Sequence, residues 1–103
     1  MKKPALAAAA FAALVLPTIA SAGGPIERAC LRSDRQAANV ATCNCIQQVA
    51  DMTLPSGDQR RAAKFFANPD EAQDVRFSSR SSDTAFWKRY KSFGEAAQAY
   101  CGG

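Results

Sequence analysis

The chain has 103 residues, 48% of them apolar, with 13 Lys and Arg against 9 Asp and Glu and a formal net charge of +4. That length holds one small domain, near the size at which a single hydrophobic core is marginal and staples are expected. Histidine is missing altogether, which removes the commonest general base, the usual partner of a Ser or Cys nucleophile and the commonest metal ligand.

Residues 1–22, MKKPALAAAAFAALVLPTIASA, join Lys2 and Lys3 to a 12-residue apolar run from Ala5 to Leu16, then Pro17 and the small residues Ala20, Ser21 and Ala22. These are the three regions of a secretory signal peptide, with the cut expected between Ala22 and Gly23. The run falls short of the roughly 20 residues that a membrane anchor takes, and no cysteine follows the cut to carry a lipid. The expected product is residues 23–103, an 81-residue domain in the periplasm or outside the cell. Lys2 and Lys3 leave with the signal, so 11 basic residues face 9 acidic ones for a net +2. Their signs are interleaved, unlike the concentrated basic stripe of a nucleic-acid or membrane-surface binder.

Prolines and capping residues divide the mature part into short helices. Pro25 suits a first helical position, and IERACL supplies one or two turns with Ile26, Ala29 and Cys30 on one face. RSDRQAAN loses the periodicity and reads as a connector, although Ser33 and Gln36 have the spacing of a capping box. Asn39 caps a helix from Val40 to about Thr53, with an apolar stripe of Ala41, Cys45, Val49 and Met52 widened by Ile46. Pro55 stops it. Ser56 and Gln59 form the next capping box, opening a helix that turns Ala62, Phe65 and Phe66 inward and Arg60, Arg61 and Lys64 outward. Asn68 and Pro69 open a fourth helix to about Phe77, with Asp70 and Glu71 where the helix dipole favours acids. The serine-rich segment 78–83 is a loop. From Thr84 to Tyr100 the residues Phe86, Tyr90, Phe93, Ala97 and Tyr100 recur at helical spacing beside Trp87, and Gly102 and Gly103 end the helix. This aromatic stripe marks the core. No segment alternates like a strand, so the expected fold is all-α, a bundle of four or five short helices.

All four cysteines, Cys30, Cys43, Cys45 and Cys101, lie in the mature part, and an even number in a short exported chain implies two disulfides. Of the three pairings, Cys43 with Cys45 is set aside. A helix turns 100° per residue, so those side chains point about 200° apart. Either remaining pairing ties segment 43–45 both to Cys30 and to Cys101, and spacing does not choose between them. The rival reading makes Cys43-Asn44-Cys45, with Met52 nearby, a Cu(I) or thiol-exchange site. Exchange enzymes use C-x-x-C in a thioredoxin-like pattern and zinc sites pair such knuckles or add histidine; neither occurs, and structural bridges are preferred. No metal or cofactor is expected.

Two further groups have structural explanations. Residues 86–93, FWKRYKSF, interleave bases with aromatics as single-strand binders do, but helical spacing puts Lys88 and Lys91 on the face away from Phe86, Tyr90 and Phe93. Arg89, at the boundary, is placed to pair with Glu95 or another acid. Asp51, near the end of its helix, is a candidate for a salt bridge with an arginine of the RRAAKFF helix.

Taken together, GPIERACLRSDR, CNCIQQVAD, DQRRAAKFFANPDEAQDVR and AFWKRYKSFGEAAQAYC resemble a group of small exported bacterial proteins that carry the label arginine transporter. The resemblance spans the mature chain. It implies a part in arginine uptake and assigns no functional residues. After signal cleavage no segment is able to span a bilayer, so an uptake role would be that of an accessory protein. The residues favour a noncatalytic binding or structural module with a protein or small-molecule partner, no nucleic acid and no stable membrane insertion. Accessory uptake and thiol or copper handling are the alternatives.

Overall fold

The computed structural model describes residues 23–35 and 38–102. The expected signal peptide, residue Gln36 of the alternative capping box and Gly103 lie outside the described residues. Five helices follow one another: α1 (Pro25–Arg32), α2 (Val40–Thr53), α3 (Ser56–Ala67), α4 (Pro69–Arg76) and α5 (Ser81–Cys101). Helix α2 lies between α1 and α5, α1 also packs on α3, and α3 leads into α4, which closes on α5. The expected all-α fold with two disulfides is what forms.

Local chemistry accounts for most of the boundaries. Pro25 occupies the first turn of α1, where its missing N–H costs nothing. Ser33 ends that helix: its N–H and Oγ both donate to the Cys30 carbonyl, at 3.1 and 2.7 Å. Ser33 is therefore a stop, and the stretch after it is the expected connector. The Asn39 side chain accepts from the Thr42 N–H at 2.8 Å and opens α2. At α3 the expectation fails, since Pro55 takes the cap position, Ser56 makes no capping bond and Gln59 turns inward instead. Asn68 stands before α4 without a side-chain capping bond. Helix α5 starts at Ser81, three residues before the expected Thr84, because Asp83 in its first turn is held by two donors.

The buried residues Ile26, Val49, Ala50, Leu54, Ala62, Phe65, Val75, Phe86 and Phe93 make one continuous core. Tyr90 is its aromatic hub, with Phe65, Trp87, Phe86 and Phe93 at centroid distances of 5.1, 5.2, 5.9 and 5.9 Å; such pairs add to area burial. Three expected core residues are outside it. Met52 is 73% exposed and Tyr100 is 74% exposed, and Ala41 is exposed as well. Helix α2 turns Cys43, Gln47, Val49 and Ala50 inward, because it is pinned to α1 through Cys43 and to α5 through Cys45. On α5, Cys101 is the residue that meets α2, which leaves Tyr100, 100° around the helix, facing solvent.

A polar network missed in the sequence joins α1, α2 and α3. The buried Gln47 side chain accepts from the Glu27 N–H at 2.9 Å and donates to Gln59 Oε1 and Asp51 Oδ1, both at 2.8 Å. Buried Gln59 in turn donates to the carbonyls of Ala50 and Leu54 at 3.3 and 3.1 Å, and to Asp51 Oδ1 at 3.2 Å. Each buried amide is thus satisfied, as burial demands. Gly24 belongs to the same assembly: a Cβ there would collide with the Gln47 amide.

A second polar clamp fastens α3 to α5. Arg61 donates to Asp83 Oδ1 at 2.6 Å while its guanidinium lies 4.5 Å over the centroid of the Phe86 ring. The Ser78 hydroxyl donates to Asp83 Oδ2 at 2.7 Å. The Ser78 hydrogen bond, followed by that of Arg61, holds the Asp83 carboxyl below its ordinary value of 3.8. The folded chain therefore binds this proton less readily than the unfolded chain. The stability it contributes is complete above the ordinary value and is lost as pH falls through the lower folded one. Replacing Asp83 by Asn is expected to lower the urea midpoint at neutral pH and to flatten the acid limb of a plot of midpoint against pH. An unchanged acid limb would show that Asp83 has no such linkage. Arg89 finds its acid on α3, donating from Nε and Nη2 to Asp58 at 2.5 and 3.2 Å, rather than at Glu95.

Candidate functional site

The four cysteines form two disulfides, Cys30–Cys43 across 13 residues and Cys45–Cys101 across 56. The first ties α1 to the start of α2, and the second ties α2 to the end of α5. Cys43 and Cys45 carry neither a thiol nor a thiolate, so a Cys43-x-Cys45 metal or exchange site is not assembled. Asp51 receives amide hydrogens from Gln47 and Gln59 in place of the expected arginine. In segment 86–93, Phe86 and Phe93 are buried, Trp87 and Tyr90 are half-buried, and Lys88 and Lys91 point to solvent. Those aromatics serve the core and are not displayed for stacking.

What the structure does assemble is a groove of about 490 Å³ between α2, α5 and the start of the α1–α2 connection. Its apolar surface comes from Ile46, Phe66, Phe93 and Ala97, and Cys30 and Cys101 from the two disulfides lie along it. The volume falls within the range of about 300–1,000 Å³ usual for small-molecule sites. Polar groups are few: Ser33, Arg35, Thr42, Tyr90 and Gln98 line it, and none of the described lining residues is acidic. Arg35 is the one charged group among the described lining residues. Its guanidinium sits 5.2 Å from the Phe66 ring centroid, a cation–π contact that holds a long side chain beside the groove. Burial pushes the Tyr90 phenol up, against the opposing charge of Arg35, so at neutral pH Tyr90 keeps its proton as a donor. Donors near an apolar floor favour a ligand that offers acceptor oxygens.

Gly94 gives this groove an unusual wall. It lies in the middle of α5, where glycine destabilises a helix by roughly 0.5–1 kcal/mol relative to alanine. Steric need usually explains such a residue, yet a Cβ added at Gly94 would meet nothing within 4 Å. No neighbouring atom requires glycine there, and Gly94 lies along the open groove. Neither Arg35 nor Gly94 stood out in the sequence, where Arg35 is one of many dispersed bases and Gly94 one break in an aromatic helix. No helix among the described residues is long and apolar enough to cross a membrane. In comparisons with known proteins the chain matches no family model, no curated protein and no solved structure.

Proposed function

We propose that this small disulfide-stapled helical domain is an exported, noncatalytic binding module. Its site is the groove beside Arg35, and its ligand is a small molecule with an apolar body and a carboxylate end. The observation that carries the reading is the groove's composition: an apolar floor, one anchored guanidinium and a glycine wall that the fold itself does not demand. Two disulfides suit an oxidising compartment, in keeping with the leader-like segment 1–22, and the periplasm or the exterior is where the module would work. The half-buried floor would take the apolar body, and Arg35 would pair with the carboxylate.

The test is a titration of residues 23–103 with decanoate, followed by amide shifts in α2 and α5, with decylamine and arginine as comparison ligands. Decanoate is expected to shift the groove residues and decylamine to bind more weakly. Arg35→Gln should weaken decanoate binding about tenfold, the effect of losing a charge-assisted hydrogen bond of roughly 1.5 kcal/mol. Gly94→Trp should abolish binding by filling the groove while the circular dichroism spectrum stays unchanged. Decanoate binding that survives Gly94→Trp sinks the assignment. Heat from arginine at millimolar concentration would favour the accessory-uptake role that the resemblance implies, and its absence would count against that role. Free thiols found by mass spectrometry at Cys43 and Cys45 in the exported protein would restore the thiol or copper role.

A further inference from the structure

Among the described residues Glu27 is the only buried carboxylate, at 6% exposure. It stands in the first turn of α1, where it complements the helix dipole, but that role does not call for full burial: Glu71, at the corresponding position of α4, is only partly buried, and Asp70 before it is exposed. Among the described residues no Lys or Arg forms an ion pair with Glu27, the two ion pairs being Arg61–Asp83 and Arg89–Asp58. Its side chain has one described partner, the backbone N–H of Gly23, which donates to Oε1 at 3.1 Å. A carboxylate offers about four lone-pair sites, and a buried charge without a countercharge is costly. Among the described residues, no cationic side chain stands within ion-pair distance of this carboxylate.

Gly23 is the residue that follows the expected signal-peptide cut. We propose that the countercharge is the α-ammonium group that the cut creates, and that the buried Glu27 carboxylate is a receptor site for the chain's own new N-terminus. Hydrolysis adds water across the Ala22–Gly23 amide: Ala22 leaves as a carboxylate, and the Gly23 nitrogen takes up protons to become an ammonium. The catalyst is a peptidase that cuts after small-x-small sequences. The nitrogen already lies at hydrogen-bond distance from Oε1, so the cut turns a neutral N–H donor into a charged one without moving it. Charge-assisted bonds are roughly twice as strong as neutral ones. The backbone at Gly23 suits this role. Its φ of +92° favours glycine while the chain is continuous and ceases to be a constraint once no residue precedes it. Next to it, Gly24 leaves room for the Gln47 amide that fastens the Glu27 N–H. Export and folding are thereby coupled, with the processed domain more stable than the same domain carrying even one extra residue.

This proposal rests on the export reading, and two experiments keep the failures apart. Intact mass of the protein recovered from the envelope should place the N-terminus at Gly23; any other terminus overturns the cut and the proposal together. Four purified chains then test the pair itself: starting at Gly23 or at Ala22, each with Glu27 or with Glu27→Gln. The Gly23 chain should melt about 4–8 °C above the Ala22 chain, the shift that one hydrogen bond's net contribution produces in a domain of this length. Glu27→Gln should remove that advantage, so that the two starting points melt together. Equal Tm values for the two Glu27 chains, or a gap that persists with Glu27→Gln, overturn the proposal while leaving the cut intact.

Discussion

Replacing Cys45 and Cys101 together by alanine will lower the stability of the domain by about 4 kcal/mol, from the chain entropy released when a loop of this length opens. The same exchange at Cys30 and Cys43 will cost about 3 kcal/mol, because that bridge closes a much shorter loop. The separations are 56 and 13 residues. Entropy scales with the logarithm of loop length, so the difference between the two is modest and both losses are large. A domain of about 80 residues has on the order of 4–12 kcal/mol to lose. Removing both bridges should therefore leave it largely unfolded at 37 °C. Urea unfolding followed by circular dichroism, with and without a strong reductant, measures each step. A midpoint unmoved by reduction would mean that the helices hold together without sulfur.

Phe86→Ala is expected to cost about 3–5 kcal/mol, the range for truncating a buried aromatic side chain. Phe86 is 1% exposed and joins α5 to α3. Its ring stands 6.0 Å from Phe65 of α3 in an edge-to-face arrangement, lies 5.9 Å from Tyr90, and is capped by the Arg61 guanidinium. Truncation leaves a cavity and strips the guanidinium of its aromatic partner, although Asp83 still holds it. Phe86→Leu keeps most of the volume and should cost much less. Trp87→Ala, at a half-buried position one residue on, should also fall below Phe86→Ala. A loss under about 1 kcal/mol for Phe86→Ala would place it in the range of surface changes, and the core would then lie elsewhere.

Much of the architecture was legible in the residues, and for local reasons. Pro25, Asn39, Pro55 and Pro69 act within one turn of their own position, so the helix starts and the break after α2 could be placed without a partner. The aromatic repeat Phe86, Tyr90 and Phe93 marks the buried face of α5 because period and composition agree there. The four cysteines announced two bridges, and helical geometry ruled out Cys43 with Cys45.

The amino-acid sequence by itself determined that the chain is helical, where most helices begin and end, and that segment 43–45 is tied to both Cys30 and Cys101. Those properties arise from backbone dihedrals, capping hydrogen bonds and covalent reach, all of which act along the chain. Only the tertiary structure decided which cysteine takes which partner, that Gln47, Gln59 and Glu27 are inside while Met52 and Tyr100 are outside, and that Arg35 and Gly94 meet at one groove. Burial of a polar side chain depends on whether another helix brings a matching donor or acceptor. A groove is the space that several elements leave between them, and neither property belongs to any single stretch of residues.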